Sequence, residues 1–135
     1  MPATIEQLLA SARARIRRYA PTDVPPGAVL VDIRAADARR RDGVIGGALH
    51  IPRTVLEWRV DPSSAWRTPY LRGAERLVVV CDHGYASSLA AATLVDLGLD
   101  AGDVIGGFEA WVAAGLPVKP VEEASPELPG MGPPD

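Results

Sequence analysis

Short apolar runs alternate along this chain with segments in which apolar residues recur at helical spacing. The segments Ala28–Asp32, Leu77–Val80 and Asp103–Ile105 predict strands, and a shorter strand is expected within Gly46–Pro52. Leu77–Val80 is apolar and mostly β-branched, which is typical of a strand buried on both faces of a sheet. Helices are predicted in five segments: from Thr4 onward, over Arg34–Arg41, from about Thr54 into the 60s, over Leu89–Leu97 and over Phe108–Ala114.

The first helix has a clear start signal and a predicted buried face. Thr4 and Gln7 stand at the spacing of a capping box, in which each side chain accepts a hydrogen bond from the other residue's backbone. The prolines from Pro21 onward end the helical pattern. The face expected to be buried contains Ile5, Leu8, Leu9, Ala12 and Ile16.

Strands that alternate with helices predict a parallel sheet with helices on both faces. A chain of 135 residues is expected to form one domain. Residues 1–27 are assigned to an N-terminal helix and linker packed on that domain, and residues 28–118 to the domain itself. Residues 119–135 are rich in proline, glycine and acids and are predicted to be a disordered tail.

Composition and charge exclude several classes of protein. The net charge of −3 gives no basis for nucleic-acid binding, and the arginines between residues 13 and 18 are expected to form a solvated helix face. One cysteine excludes an intramolecular disulfide and a cysteine-rich metal site, and no metal is expected. No apolar run approaches a membrane span and the start is not a signal peptide, so a cytoplasmic protein without membrane association is predicted.

Cys81, the single cysteine, follows the buried strand Leu77–Val80 and precedes a polar loop and a helix. Ligands of parallel α/β sheets bind at the carboxyl ends of the strands, which is where Cys81 is placed. Backbone N–H groups of the loop and of the helix N-terminus favour a thiolate and can also hold an anion. A buried structural cysteine is the alternative, but it does not require Gly84 and a polar loop behind it. We therefore interpret Cys81 as a nucleophile.

Four further patterns occur in order along the chain. Val31–Arg34 ends a strand with an aspartate and an arginine, and Gly43–Pro52 contains G-V-I-G-G-A-L-H-I-P. Val79–Ser87 holds the cysteine loop, and Gly106–Val118 begins Gly-Gly-Phe and ends Gly-Leu-Pro-Val. Together they resemble the rhodanese (sulfurtransferase) domain over about Val29–Val118, with Val44 where that family usually has histidine. The resemblance implies a three-layer α/β/α fold with a mostly parallel sheet of about five strands.

The resemblance also implies a persulfide mechanism without a cofactor. The Cys81 thiolate would take the outer sulfur of a small anionic donor, such as thiosulfate or a persulfide, and pass it to cyanide or a thiol, including a protein thiol. The chain has no second cysteine, so another molecule must discharge the persulfide. The predicted substrate-binding positions are the loop amides and side chains of Asp82, His83, Gly84, Tyr85, Ala86 and Ser87.

The loop departs from the family's usual pattern at one position. Many rhodaneses carry arginine where this chain has Ala86, and related phosphatases and arsenate reductases carry it where this chain has Ser87. The loss of that bidentate clamp disfavours phosphatase or arsenate reductase activity. The sequence instead resembles a branch with Cys-x-His-Gly-x-x-Ser loops, in which backbone N–H groups and serine hydroxyls hold the anion.

Two interpretations of function remain after these departures. The first is a sulfurtransferase; the second is a rhodanese-like binding or regulatory module with little or no turnover, which Ala86 and Asp82 keep open. His83 is expected to shape the loop or its electrostatics, or else to handle a proton. The candidates for support of the site from outside the loop are Asp32, Arg34 and Arg53.

Overall fold

The computed structural model describes residues 2–71, 73 and 75–124 of the chain. In this part, one all-parallel sheet has the strand order β1-β5-β4-β2-β3. Its strands are β1 (Arg17–Tyr19), β2 (Val29–Asp32), β3 (Leu49–His50), β4 (Leu77–Val80) and β5 (Ala101–Val104). The α-helices are α1 (Ile5–Arg15), α2 (Ala36–Asp42), α3 (Leu56–Val60), α4 (Ala86–Asp96) and α5 (Gly107–Ala113). The predicted α/β fold with a parallel sheet is confirmed. Among the described residues, none of the helices combines the length and the apolar composition of a membrane span.

β4 lies in the middle of the sheet and is buried on both faces, as its apolar run predicts. Successive side chains of a strand point to opposite faces. Leu77 and Val79 therefore pack in a core cluster with side chains of α3 and α4, whereas Val78 and Val80 pack with Phe108 and other residues on the α5 side. Burying each such side chain contributes about 1.5–3 kcal/mol. This double packing fixes the strand that carries Cys81 at its carboxyl end.

α1 begins at the predicted capping box but buries less of its apolar face than expected. The Thr4 hydroxyl accepts the Gln7 N–H at 3.1 Å, and the Gln7 side chain accepts the Thr4 N–H at 2.8 Å. The helix packs against α4, and its buried residue is Ala12. Ile5 and Leu8, predicted to be buried, are 58% and 51% exposed. The amphipathic pattern therefore indicates the helix correctly but not how much of it is covered.

β1 lies within the segment predicted to be a linker. It is an edge strand that pairs in parallel with β5, and Arg18 is the register partner of Asp103. β1 is three residues long and includes Arg17 and Arg18, so its sequence shows no apolar strand pattern. It forms a strand because it pairs with β5 and not because of local propensity. The segment before residue 28 thus completes the sheet.

Ordered structure continues past the predicted domain end at residue 118. Lys119 pairs with Val44 in an isolated antiparallel bridge, with N···O distances of 2.8 and 2.9 Å, and a 3₁₀ turn covers Val121–Glu123. These residues extend the contacts of the fold beyond residue 118, and the predicted domain bounds and disordered tail stay predictions. The remainder of the predicted tail, residues 125–135, lies outside the described residues.

The contact between β1 and β5 can be tested at Gly102. A Cβ at this position would overlap the carbonyl oxygen of Arg17 on the neighbouring strand and meet the Tyr19 ring at 3.2 Å. Because backbone atoms cannot move aside cheaply, we expect Gly102→Ala to lower the free energy of unfolding in urea by about 1–3 kcal/mol. Gly27→Ala is the matched control, since its Cβ would meet nothing within 4 Å. Equal stability of the two variants would contradict this account.

Candidate active site

Cys81 lies directly after the central strand, at the start of the loop that leads into α4. It is buried, with 7% of its surface exposed. The backbone N–H groups of Gly84 and Ser87 donate to its Sγ at 3.1 and 3.3 Å. Two donors that converge on one sulfur stabilise negative charge there, whether on a thiolate or on a group attached to it.

The loop takes this shape because glycines allow two backbone segments to touch. Gly84 has φ +85°, and a Cβ on it would lie 2.7 Å from the nitrogen of Gly106. A Cβ on Gly107 would overlap the carbonyl oxygen of Cys81. The Phe108 N–H donates to this oxygen at 2.8 Å, so the start of α5 holds the cysteine loop from one side. The Gly106-Gly107 pair is therefore part of the site's construction.

A buried carboxylate holds the other end of the loop. Asp103 on β5 is fully buried and accepts hydrogen bonds from the Ser87 and Ser88 hydroxyls, at 2.7 and 2.8 Å. It also forms an ion pair with Arg18 on β1, with 2.8 Å between Nε and Oδ1. The sequence predicts that the Ser87 hydroxyl helps to hold an anion. It faces Asp103 instead, and only its N–H faces Cys81.

Two arginines reach the loop from the N-terminal segment. Arg13 Nη2 and Arg18 Nη2 donate to the Gly84 carbonyl oxygen at 2.8 and 3.2 Å, and Arg13 Nε donates to the Ser88 hydroxyl at 3.1 Å. The expectation that the basic cluster is only a solvated helix face is wrong for these two residues. The segment outside the predicted domain thereby contacts the site directly.

The remaining loop side chains surround a small open pocket. The pocket has a volume of about 190 Å³ and is lined by Cys81, Asp82, His83, Tyr85 and Ala86. Asp82 is half-buried, whereas the other three loop side chains are exposed. The backbone N–H groups of His83, Tyr85 and Ala86 form no hydrogen bond to another residue of the described ranges. The residues that line the pocket therefore include three whose N–H groups have no partner within the described ranges, together with one carboxylate.

A larger cavity of about 430 Å³ lies beside this pocket, lined by Asp82, His83, Phe108, Glu109, Val112, Arg41 and Asp42. His83 Nδ1 lies 2.6 Å from a Glu109 oxygen, and both side chains are exposed. This contact agrees with an electrostatic or loop-shaping role for His83. Hydrogen bonding by Arg41 holds the pKa of Asp42 below its ordinary value, so that carboxyl stays ionised at neutral pH.

The three residues predicted to support the site are committed to other partners. Arg34 is buried and pairs with Asp32 at 3.1 Å, and its guanidinium lies 3.7 Å from the centre of the Phe108 ring. Arg53 pairs with Glu57 one helical turn away, at 2.8 Å. Asp32 and Arg34 thus brace the start of α5, and a direct role for any of the three in substrate binding stays a prediction. No cluster of three or more potential metal ligands occurs among the described residues.

Sequence reasoning missed Asp103, Arg13 and Arg18. Asp103 had a detectable signal, because an acid inside a strand with buried neighbours needs a partner. Its partner Arg18 is 85 residues away, and no local pattern joins the two.

The chain is similar to known proteins in both sequence and structure. The family model of the rhodanese-like domain matches residues 13–114, a range that includes β1. The thiosulfate sulfurtransferase GlpE of Pseudomonas putida (strain GB-1) is 43% identical over 91 residues, which cover 64% of this chain and 72% of that protein. A solved structure from Rhodopseudomonas palustris, described as a protein of unknown function and possible tyrosine phosphatase, is 34% identical with a TM-score of 0.80, covering 88% of this chain and 99% of its own. The thiosulfate sulfurtransferase structure from Pseudomonas aeruginosa is 28% identical with a TM-score of 0.64, over 82% of this chain and 21% of that protein.

The packing of Gly84 on Gly106 predicts a specific loss in Gly84→Ala. The new Cβ would clash with the backbone, so we expect the loop to shift and Cys81 to lose its N–H donors, slowing its alkylation by iodoacetamide about tenfold or more. Gly47→Ala is the matched control, because Gly47 has a similar φ of +82° but an added Cβ there would meet nothing within 4 Å. An equal effect of both variants on alkylation would mean that backbone strain alone, and not the clash, matters.

Proposed function

The chain belongs to the rhodanese-like domain family, and on this premise we propose that it is a sulfurtransferase that carries sulfane sulfur on Cys81. The observation that carries the proposal is the pair of backbone N–H groups, from Gly84 and Ser87, that converge on Sγ. The curated relatives at 41–43% identity are thiosulfate sulfurtransferases, which supports the same class of reaction.

In the first half-reaction, the Cys81 thiolate attacks the outer sulfur of the donor. A new S–S bond forms to Cys81, the donor's own S–S bond breaks, and the leaving group departs with that electron pair, as sulfite when the donor is thiosulfate. The product is an anionic persulfide. The same two N–H groups that face Sγ suit this developing charge, as do the N–H groups of pocket residues that have no partner within the described part of the chain.

In the second half-reaction, a thiol or cyanide takes the outer sulfur and returns Cys81 to the thiolate. The chain has a single cysteine, so the acceptor must come from solution and enter the open pocket. The larger cavity beside His83 gives room for an acceptor bulkier than cyanide. These features favour a thiol, including a protein thiol, as the acceptor.

The polar groups of the pocket also bear on the donor. Asp82 is half-buried and lines the pocket, so its carboxylate opposes a dianion such as thiosulfate. Ala86 provides no compensating charge. We therefore expect persulfide donors to load Cys81 faster than thiosulfate does.

Intact mass of the reduced protein, after incubation with thiosulfate or with a persulfide donor, tests the proposal. We expect wild type to gain one sulfur atom and to lose it on addition of cyanide, while Cys81→Ser gains none. Because the chain has one cysteine, the added sulfur needs no peptide mapping. No gain from any donor, with an intact fold, would refute the proposal and favour a non-catalytic binding module.

Phosphatase activity can be assayed with the same proteins, because the Rhodopseudomonas palustris relative is described as a possible tyrosine phosphatase. We expect no hydrolysis of p-nitrophenyl phosphate, since Ser87 stands where phosphatase loops carry arginine and its hydroxyl binds Asp103. Hydrolysis that disappears in Cys81→Ser would instead support the phosphatase interpretation.

An arginine at position 86 is predicted to improve the use of thiosulfate. Ala86 is exposed and lines the pocket, so Ala86→Arg can place a guanidinium beside the donor's sulfonate. We expect the KM for thiosulfate to fall about tenfold with kcat changed little. Ala86→Gln, of similar length but neutral, controls for bulk. An equal fall in both variants would show that charge is not the missing element.

A further inference from the structure

The Gly84 carbonyl oxygen is unusual in the number of donors that converge on it. It accepts from Arg13 Nη2 at 2.8 Å and from Arg18 Nη2 at 3.2 Å. Ser88 Oγ also lies 3.3 Å from it, although the shorter hydrogen bond of that hydroxyl goes to Asp103. Both arginine donors carry full positive charge. A loop carbonyl that faces solvent is hydrogen-bonded by water and does not require an arginine. The convergence of two arginines on this oxygen therefore bears on the N–H group at the opposite side of the same peptide unit.

The same peptide unit carries the N–H of Tyr85, a residue that lines the pocket at Cys81. The Gly84 carbonyl and the Tyr85 N–H belong to one trans peptide unit, so they point in opposite directions. The carbonyl points back to the arginines, and the Tyr85 N–H, which has no hydrogen bond to another described residue, points away from them. Hydrogen bonds in a chain polarise one another, so donors on the carbonyl strengthen the N–H as a donor.

We propose that Arg13 and Arg18 are positioning residues that deliver positive charge to the Cys81 loop through the Gly84–Tyr85 peptide. They act from behind the loop and so replace in part the side-chain arginine that is absent at Ala86. This inference rests on the proposed role of the loop as an anion-binding site.

The two arginines contribute differently. Arg18 pairs with the buried Asp103 carboxylate, which offsets its charge. Arg13 forms no ion pair with a carboxylate within the described ranges, and its guanidinium lies 5.7 Å from the centre of the Tyr85 ring. Arg13 is therefore the main source of net positive charge behind the loop, while Arg18 chiefly fixes the geometry.

The test compares two alkylating agents that differ in charge. Iodoacetate is an anion and iodoacetamide is its neutral analogue, and both alkylate the one cysteine of the chain. The ratio of their rate constants reports the potential at Cys81 and does not require sulfur transfer. Arg13→Gln is the central variant, because it leaves the Arg18–Asp103 pair in place. Arg15→Gln is the matched control, since Arg15 belongs to the same helix but pairs with Asp96 at 3.4 Å, away from the loop.

We expect Arg13→Gln to lower the iodoacetate to iodoacetamide ratio about threefold to tenfold at low ionic strength. Arg13→Lys should recover part of that loss, because it keeps the charge but not the fork geometry. Arg15→Gln should leave the ratio unchanged. Thermal unfolding of each variant checks that the fold is retained.

The result that overturns the inference is an unchanged iodoacetate to iodoacetamide ratio in Arg13→Gln. A fall of the same size in Arg15→Gln also overturns it, because a general loss of net charge would then suffice. If no donor loads sulfur on Cys81 but Arg13→Gln still lowers the iodoacetate to iodoacetamide ratio, the sulfurtransferase proposal is refuted. The electrostatic role of Arg13 is then retained.

Discussion

The buried carboxylate of Asp103 is the constraint on which the rest of the site depends. An ionised carboxylate removed from water costs several kcal/mol unless charge and hydrogen bonds compensate it. Here the compensation comes from Arg18 on the edge strand and from the first serines of α4. The sheet edge and the helix that begins at the site are therefore fixed to the same carboxylate. Loss of the Arg18 contact would leave this buried carboxylate without a counter-charge, which is strongly destabilising.

The cysteine loop has two sides with different tasks. On its back, the carbonyl oxygens of Cys81, Asp82 and Gly84 are all occupied, the first two by N–H groups at the start of α5 and the third by arginines. On its front, the N–H groups of Gly84 and Ser87 converge on Sγ. Fixing the back before any ligand arrives means that the front need not reorganise when negative charge develops. The Asp82 carboxylate is the charged side chain of the Cys81 loop that lines the pocket, so the donors that the loop itself presents there are backbone dipoles.

Features that arise from local patterns could be predicted well from the sequence. The run Leu77–Val80 indicated a doubly buried strand, the Thr4–Gln7 spacing indicated a helix start, and the order of elements indicated a parallel α/β sheet. Features that depend on distant partners were missed. β1 forms a strand because it pairs with β5, and Arg13 contacts Gly84, which is 71 residues away in the sequence. Exposure on α1 was also mispredicted, because periodicity identifies an apolar face without telling what covers it.

The position of β1 has a consequence for how the molecule assembles. β1 is near the start of the chain, but its only partner strand within the described sheet is β5, which begins at residue 101. Closing a loop of that length is entropically costly, and contacts far apart in sequence form late and slow folding. Arg18 can pair with Asp103 only once β5 is in place. In a nascent chain β2 and β4 can pair before β5 is made, so the strand that holds Arg18 against the Cys81 loop joins the sheet only when nearly the whole described chain is present.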